Sequence, residues 1–437
     1  MSTRNQKEDI LKLLIESRIC LAQVPDFLET DRDIIAAALA NDGNDLKWAS
    51  ESLRADKDIV KMAVSSKGDA LRWASESLRA DKDIVKIAVS SNGNALIWAS
   101  ESLRADKEVV MKAVSVYGLS IRHANNFLKA DKEVAMKAIS QTLEALIYIS
   151  HDLMSNREFI LKGIRKGFFT LKVASDLLKD DKELALAALG ENEENLKYMS
   201  VRLRQDKEVV IPVLRKNGRF LKYVSDSLKN DKDAVLTAVN NKGSSLKYAS
   251  NVLRNDKEVV LAAVSNYGFA LECASGILKR DKEVVLAAVY ENGFALECAS
   301  YILRNDKDVV LVAVSDTGGA LKYASENLRD DKDVVLAALN KCSTAMPYAS
   351  YNLKDDRDIV LAAVSTDAFA IKFASKRVRD MEDVVLAAAR KTIDSLAYAS
   401  ERIRDNINNI EYEGTPVEKL VYIMKMSKVK SAAKTVS

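Results

Sequence analysis

Apolar positions recur along this chain at helical spacing inside a unit that itself recurs. From Gly68 to Gly93 the sequence reads GDALRWASESLRADKDIVKIAVSSNG, with Leu71, Ala74, Ser75 and Leu78 at the i, i+3, i+4, i+7 places that form one face of an α-helix. A second apolar stripe follows at Ile84, Val85, Ala88 and Val89. Between them Asp81 stands where a helix N-cap is wanted, since its carboxylate can accept from the free N–H groups of the next turn, and Asp83 just inside favours the positive helix end. Gly93 falls where a left-handed C-cap would close the second helix. The pattern predicts two short helices per unit, each roughly ten residues long. Helices so short are marginal alone in water, so successive pairs must stack.

The segment carrying the first stripe returns every 25 residues: LKWAS at Leu46, LRWAS at Leu71, LIWAS at Leu96, LIYIS at Leu146, LKYAS at Leu246 and Leu321, LECAS at Leu271 and Leu296, LAYAS at Leu396, with IRHAN at Ile121 as a divergent copy. A weaker copy, LAQVPDFL, begins at Leu21, and no insertion breaks the register from residue 21 to about 410. The expected fold is all-α: an α-solenoid, a superhelical array of about sixteen 25-residue helical hairpins whose stability is nearly a sum of repeat and interface terms. Residues 1–20, with Ile10, Leu13 and Leu14, read as an N-terminal capping helix, and 21–410 as the tandem repeats of one solenoid. Residues 411–437 read as a C-terminal capping helix and basic tail. The capping box Thr415-Pro416-Val417-Glu418 opens that helix, which is expected to run to about Met426, with Lys428, Lys430 and Lys434 in the tail. DKEVVLAAV, from Asp256 and again from Asp281, predicts a second helix buried on nearly every side.

The motif L-x-Y/W-A-S-x-x-L-R/K-x-D-K-E/D-V-V, as in LKYASNVLRNDKEVVLAAV from Leu246, resembles the tandem helical repeats of the family called domain of unknown function 4116. The resemblance runs from residue 21 to about 410. It implies the fold and brings no activity, cofactor or site.

Composition fits this picture. Average usage would supply about 31 Gly and 22 Pro, whereas the chain has 15 and 4, which excludes turn-rich β-sandwich and collagen-like folds. Nine of the glycines occupy one repeat column, and the Asp cap recurs at Asp31, Asp56, Asp81 and onward, with Asn156 and Asn406 as substitutes and Met381 as a loss. The charges nearly cancel, 66 basic against 63 acidic, so neither a generic polyanion binder nor an acidic carrier is indicated. Four Cys read as reduced thiols, and without a signal peptide or an apolar run of membrane-spanning length the expected setting is cytoplasmic, with no membrane partner.

Candidate chemistry has to be weighed column by column. Ser closes the motif in nearly every copy, and a catalytic serine needs one base and one oxyanion hole, so the column reads as close packing with the hydroxyl returned to a backbone carbonyl. His123 and His151 sit at different repeat places with no Cys nearby, which does not make a zinc site. Cys273 and Cys298 replace the aromatic of their column and read as packing. No catalytic residue, cofactor or metal is expected, and the chain reads as non-enzymatic.

Three columns are candidates for partner binding. The aromatic one begins Trp48, Trp73, Trp98, and reads either as packing between layers or as rings offered to bases or peptides. Arg54, Arg79, Arg104, Lys129, Arg204 and Arg254 belong to a basic column at the end of the first helix, beside a second one at Lys47 and Arg72. Together these could form a positive ridge. Acids four places on, as Glu51 after Lys47 and Glu76 after Arg72, suggest instead a salt-bridged face. The stretch from about 116 to 170 departs most from the pattern and adds His123, Asn126 and His151 to the candidates. The expected function is a scaffold, a monomer, for protein–protein interaction along the solenoid, with nucleic-acid or phosphate binding as the alternative.

Overall fold

The computed structural model describes residues 3–435, and among them helices and turns return with the 25-residue period and no strand occurs. The chain divides into two compact units, Met1–Ser200 and Val201–Ser437. Within each, every long helix packs against the long helices of the repeats before and after it, so each unit is an all-α solenoid.

The first half of the repeat is not the continuous helix that the apolar spacing predicts. Gly68–Trp73 is a 3-10 helix, Ala74 and Ser75 are extended (φ −67°, ψ 154° and φ −59°, ψ 158°), and one α-turn, Glu76–Arg79, follows. Leu71, Ala74 and Leu78 are still buried, but across a break instead of along one helix face. The break turns the Ser75 N–H away from its own segment, and it donates to the Arg54 carbonyl of the preceding repeat at 2.8 Å. An α-helix would have committed that amide to the residue four places back. The same bond joins Ser100 to Arg79 (2.9 Å) and Asn125 to Arg104 (3.0 Å), and in the second unit Ser225 to Arg204 (3.1 Å) and Ser400 to Arg379 (3.0 Å).

The second half is the expected helix, Lys82–Ser91 in this repeat. One oxygen of Asp81 accepts from the N–H groups of Asp83 (3.0 Å) and Ile84 (3.1 Å), and the other takes Lys57 of the preceding repeat at 2.6 Å. This double use recurs as Lys82–Asp106 (2.7 Å), Lys107–Asp131 (2.9 Å) and, in the second unit, Lys232–Asp256 (2.9 Å) and Lys257–Asp281 (2.8 Å). The D-K pair is therefore a ladder between repeats as well as a cap. The Lys57 ammonium, helped by the backbone donors, holds the Asp81 carboxyl below the ordinary carboxylate range. The lysines stand in solvent, where water and salt screen such pairs, so the ladder fixes orientation more than it stabilises. Asn156 caps its helix through Phe159 N–H at 3.0 Å and Met381 caps nothing, while Asn406 lies inside the helix Glu401–Asn409 and is not the cap its column suggests.

At the ends, the helix Thr3–Ile15 buries Leu14, leaves Ile10 and Leu13 half-buried, and extends the ladder through Lys7–Asp31 (2.8 Å). The Thr415/Glu418 capping box is formed, with Thr415 N–H on the Glu418 carboxylate at 2.8 Å. Its helix, Pro416–Thr435, runs well past Met426, and the side chains of Lys428, Lys430 and Lys434 lie outside the described residues.

Two further expectations are corrected. The helix DKEVVLAAV is not enclosed: Leu261, Ala262, Leu286 and Ala287 are only half-buried, because the stack covers the long helices on the inner side and leaves the outer side to solvent. The column glycines are not left-handed caps either, since among the described residues the only positive-φ glycine is Gly167. They are required by contact. A Cβ on Gly93 would stand 2.5 Å from the Ala113 carbonyl oxygen of the next repeat, and one on Gly118 equally close to that of Ala138.

Gly93→Ala is therefore expected to cost about 1–3 kcal/mol, the range of an overpacked contact. Gly190→Ala, in a helix with nothing within 4 Å, is expected to be neutral or to stabilise by about 0.4–1 kcal/mol. Urea unfolding of the two variants checks this pair.

Candidate interaction face

The break at Ala74–Ser75 decides which side chains meet. Because the motif is a 3-10 turn followed by extended residues, positions that a helical wheel would separate come onto one face. Trp48 is exposed, and Trp73, Trp98 and His123 are half-buried. The cation before each ring folds over it: Lys47 over Trp48 at 4.9 Å, Arg72 over Trp73 at 4.3 Å and over Trp98 at 5.2 Å, and in the second unit Lys222 over Tyr223 at 4.4 Å and Lys247 over Tyr248 at 5.0 Å. Such contacts are worth about 0.5–1 kcal/mol at exposed sites. The expected i, i+4 pairs Lys47–Glu51, Arg72–Glu76, Lys172–Asp176, Lys222–Asp226 and Lys322–Glu326 do not form, since the extended residues between the partners spoil that geometry, but three of these acids pair with the other basic column instead: Asp176 with Lys179 (3.1 Å), Asp226 with Lys229 (3.0 Å) and Glu326 with Arg329 (3.8 Å).

The other basic column lies on the same face. Arg204 donates to the Tyr223 carbonyl at 3.2 Å, and Arg104 and Lys129 are both close enough to His123 to act on its charge. His123 therefore has Arg104 before it and Lys129 after it, whereas Met154 leaves Tyr148 without the second cation. The Nε atoms of Arg54, Arg79, Arg104, Arg204 and Arg254 are enclosed without a hydrogen-bond partner. The terminal nitrogens of Arg54, Arg79 and Arg104 have no partner and are not enclosed, so these guanidinium groups are held by their stems and open at their tips. Glu51 and Glu76 stand three residues before Arg54 and Arg79 and form no ion pair with them. A groove of about 440 Å³ is lined by Lys47, Asp69, Arg72, Trp73, Trp98 and His123 among others, and none of Arg54, Arg79 and Arg104 lines it.

His123 measures the local field. Arg122 Nε donates to its Nε2 at 2.8 Å, which requires the neutral ring. Burial, with the charges of Arg122, Arg104 and Lys129, lowers its pKa to about 4. Asn126 and His151 are not part of this cluster: both open the turn after the Ser/Asn position, are exposed, and make no side-chain hydrogen bond.

The serine column has a different task from the one its sequence suggests. Its hydroxyl accepts from the N–H three residues on, as Ser75 from Leu78 (3.4 Å), or donates to the preceding repeat, as Ser250 to Asn230 (2.6 Å) and Ser325 to Asn305 (2.5 Å). Cys273 and Cys298 are free half-buried thiols whose pKa burial pushes up. Within 116–170 the column glycine is missing at Leu143 and Phe168. The first turn there shrinks to Leu143–Ile147, Gly167 takes φ 70°, and Phe169 packs on Phe159 at 6.1 Å. A cleft of about 650 Å³ opens beside Leu143, Ile164, Phe168 and Lys172. Among the described residues, no group of three or more His, Cys, Asp or Glu could hold a metal, and no helix is long and apolar enough to cross a membrane.

What sequence reasoning missed here is the ladder lysine, Lys57 and its equivalents. The signal was present in the D-K/R-D/E spacing, which recurs from Asp31 to Asp356, with Asn156 as one cap, and places a cation beside each of those caps.

A repeating all-α stack with this face defines a helical-repeat solenoid protein. The chain belongs to the family described as Domain of unknown function (DUF4116), whose family model matches in overlapping windows of about two repeats, from residues 31–79 and 64–104 through 331–379 and 356–404. No curated protein matches the chain in sequence.

The fall in stability on acidification should reflect His123. The unfolded ring takes a proton near pH 6.5 and the folded one only near 4, so between these values the unfolded state binds the extra proton. The ring's contribution is complete above about pH 6.5 and is lost as pH falls toward 4. Thermal melts of His123→Gln should show a smaller loss of Tm over that window than the parent chain.

Proposed function

We propose that the chain is a non-enzymatic repeat scaffold that holds another protein along this face, and that the segment held there is acidic. The observation that carries the reading is the row of stem-fixed guanidinium groups at Arg54, Arg79 and Arg104, whose terminal nitrogens have no partner within the chain. Arginine presents a rigid fork of donors suited to carboxylates, and a fork already held in place loses little freedom on binding. The Lys57–Asp81 ladder satisfies its own charges; this row does not. A face on which similar groups return in most repeats offers many alike contacts and no unique catalytic pair, which is the economy of a scaffold. In this reading the protein works as a cytoplasmic monomer with reduced thiols.

A nucleic-acid partner is the competing reading, and the same cations favour it. Base stacking would require a free ring face, however, and Arg72 lies against both Trp73 and Trp98. A carboxylate needs only the open nitrogens.

The test compares deca-glutamate with single-stranded RNA of similar charge, at about 50 and 150 mM salt, on the parent chain and on Arg54→Glu/Arg79→Glu/Arg104→Glu. Deca-glutamate is expected to bind, and the triple variant to lose about ten-fold or more in affinity. Stronger binding of RNA would favour the competing reading, and binding of neither would remove both.

A further inference from the structure

We infer that the cleft beside Leu143, Ile164 and Phe168 is a binding site for a small amphipathic carboxylate, its chain among the apolar side chains and its head on Arg165 and Lys172. The site lies wholly within the first unit and owes its shape to the shift of one glycine. In the ordinary repeat a ten-residue helix, such as Lys82–Ser91 or Lys107–Val116, is followed by a glycine that opens a six-residue 3-10 turn, Gly93–Trp98 or Gly118–His123. Here the glycine comes one place early, at Gly167, and takes φ 70°. Its N–H donates to the Ile164 carbonyl at 2.8 Å and that of Phe168 to the Gly163 carbonyl at 3.0 Å, a left-handed stop that ends the helix Arg157–Arg165 after nine residues. Half of the following turn is lost with it, and only Leu171–Val173 remains 3-10 helical.

The space that the lost half-turn would fill is open. Phe169 turns inward, packs on Phe159 at 6.1 Å and lies across Gly163, where a Cβ would run into its ring. Val173 stands where Trp73, Trp98, Tyr198 and Tyr223 carry rings, so the aromatic of the column is missing as well. The result is a cleft of about 650 Å³ with Leu146, Ile164, Phe169 and Val173 in its walls, which is the size and lining of a small-molecule site. The arrangement is held together and not merely loosened. A complete 3-10 turn would bond the Leu171 N–H three residues back; instead it donates to Oδ1 of the buried Asn195 at 2.8 Å, and Asn195 Nδ2 donates to the Ala188 and Asn192 carbonyls at 2.9 Å. Asn195 occupies the place of Ala70 and Ala95 in other repeats.

The charged groups of the lining set the chemistry of the occupant. Among the described residues, neither the Arg165 nor the Lys172 side chain has a hydrogen-bond or ion-pair partner, and Glu191 is the one carboxylate that lines the cleft. The glycine shift has taken the usual partner of Glu191 too. At its place in other repeats Ser91, Asn241 and Asp316 accept the N–H of the preceding column glycine, at 3.2, 2.8 and 2.9 Å, but the Phe168 N–H is committed to Gly163. Two cations against one acid leave the lining net positive, which favours an anionic head over a cationic one. The apolar walls favour a hydrocarbon body over a bare anion.

The test is calorimetric titration of the full chain with decanoate, octanoate and decylamine, each kept below its micellar concentration. Decanoate is expected to bind more tightly than decylamine, and about ten-fold more tightly than octanoate because two more methylenes are buried. Arg165→Gln/Lys172→Gln is expected to cut decanoate affinity about five-fold without weakening decylamine. Val173→Tyr returns the ring that the column carries elsewhere, so it is expected to keep the parental circular dichroism and to abolish binding by filling the cleft. Leu143→Glu, at a position half exposed, adds a like charge beside the cleft and is expected to weaken decanoate alone. Decanoate that fails to bind the parent chain, or binds both of these variants as it binds the parent, overturns the site. Equal affinity for decanoate and decylamine, or a double variant that binds decanoate as the parent does, overturns the carboxylate assignment and the inference with it.

Discussion

The amide of the motif residue in each repeat from Ser75 to Ser400, donated to a carbonyl 21 residues earlier, is the constraint on which the rest of each unit depends. To free that amide the chain must leave the helix at Ala74–Ser75, and to bring the two repeats close enough it must place Gly93 against the Ala113 carbonyl where a side chain cannot go. The long helices then pack side by side, Asp81 reaches back to Lys57, and the cation at Arg54 is held at its backbone by the same bond. Packing supplies most of the stability, through fully buried residues such as Ile84, Val85, Ala88 and Val89. The backbone bond sets the step at which that packing repeats.

Seen this way, the face of rings and cations is a by-product of the break. A continuous helix would have paired Lys47 with Glu51 and carried Trp48 round to another side. The extended residues cancel that pairing, lay the cations over the rings and leave Arg54, Arg79 and Arg104 with open tips. Burial, joined by the charges of Arg122, Arg104 and Lys129 on this face, lowers the His123 pKa to about 4. A scaffold whose binding groups are fixed by its own stacking bonds couples recognition to architecture: the repeat that makes the fold also makes the spacing of the contacts.

The period, the Asp caps, the long helices and the C-terminal capping box were legible in the sequence because each rests on local spacing or on one residue type with one task. The first half of the repeat was not. Leu71, Ala74, Ser75 and Leu78 satisfy a helical pattern that the chain does not follow, because an amide bond to a distant residue outweighs local periodicity and leaves no trace in it. The glycine column was recognised as special for the wrong reason, since close approach to a neighbouring carbonyl and a left-handed turn select the same residue. The candidate cations and rings were found from their columns, but whether they were paired depended on the break. Asn126 and His151, chosen because they depart from the pattern, stand apart from the cluster.

Amide hydrogen exchange at the motif position tests the central constraint most directly. Ser75, Ser100 and Asn125 lie in extended, half-buried segments, where an amide without a partner exchanges fast. The account predicts protection at these three amides approaching that of Val85 and Val110 in the long helices, because opening one requires separating two repeats. Fast exchange at the motif amides beside slow exchange in the long helices would contradict it.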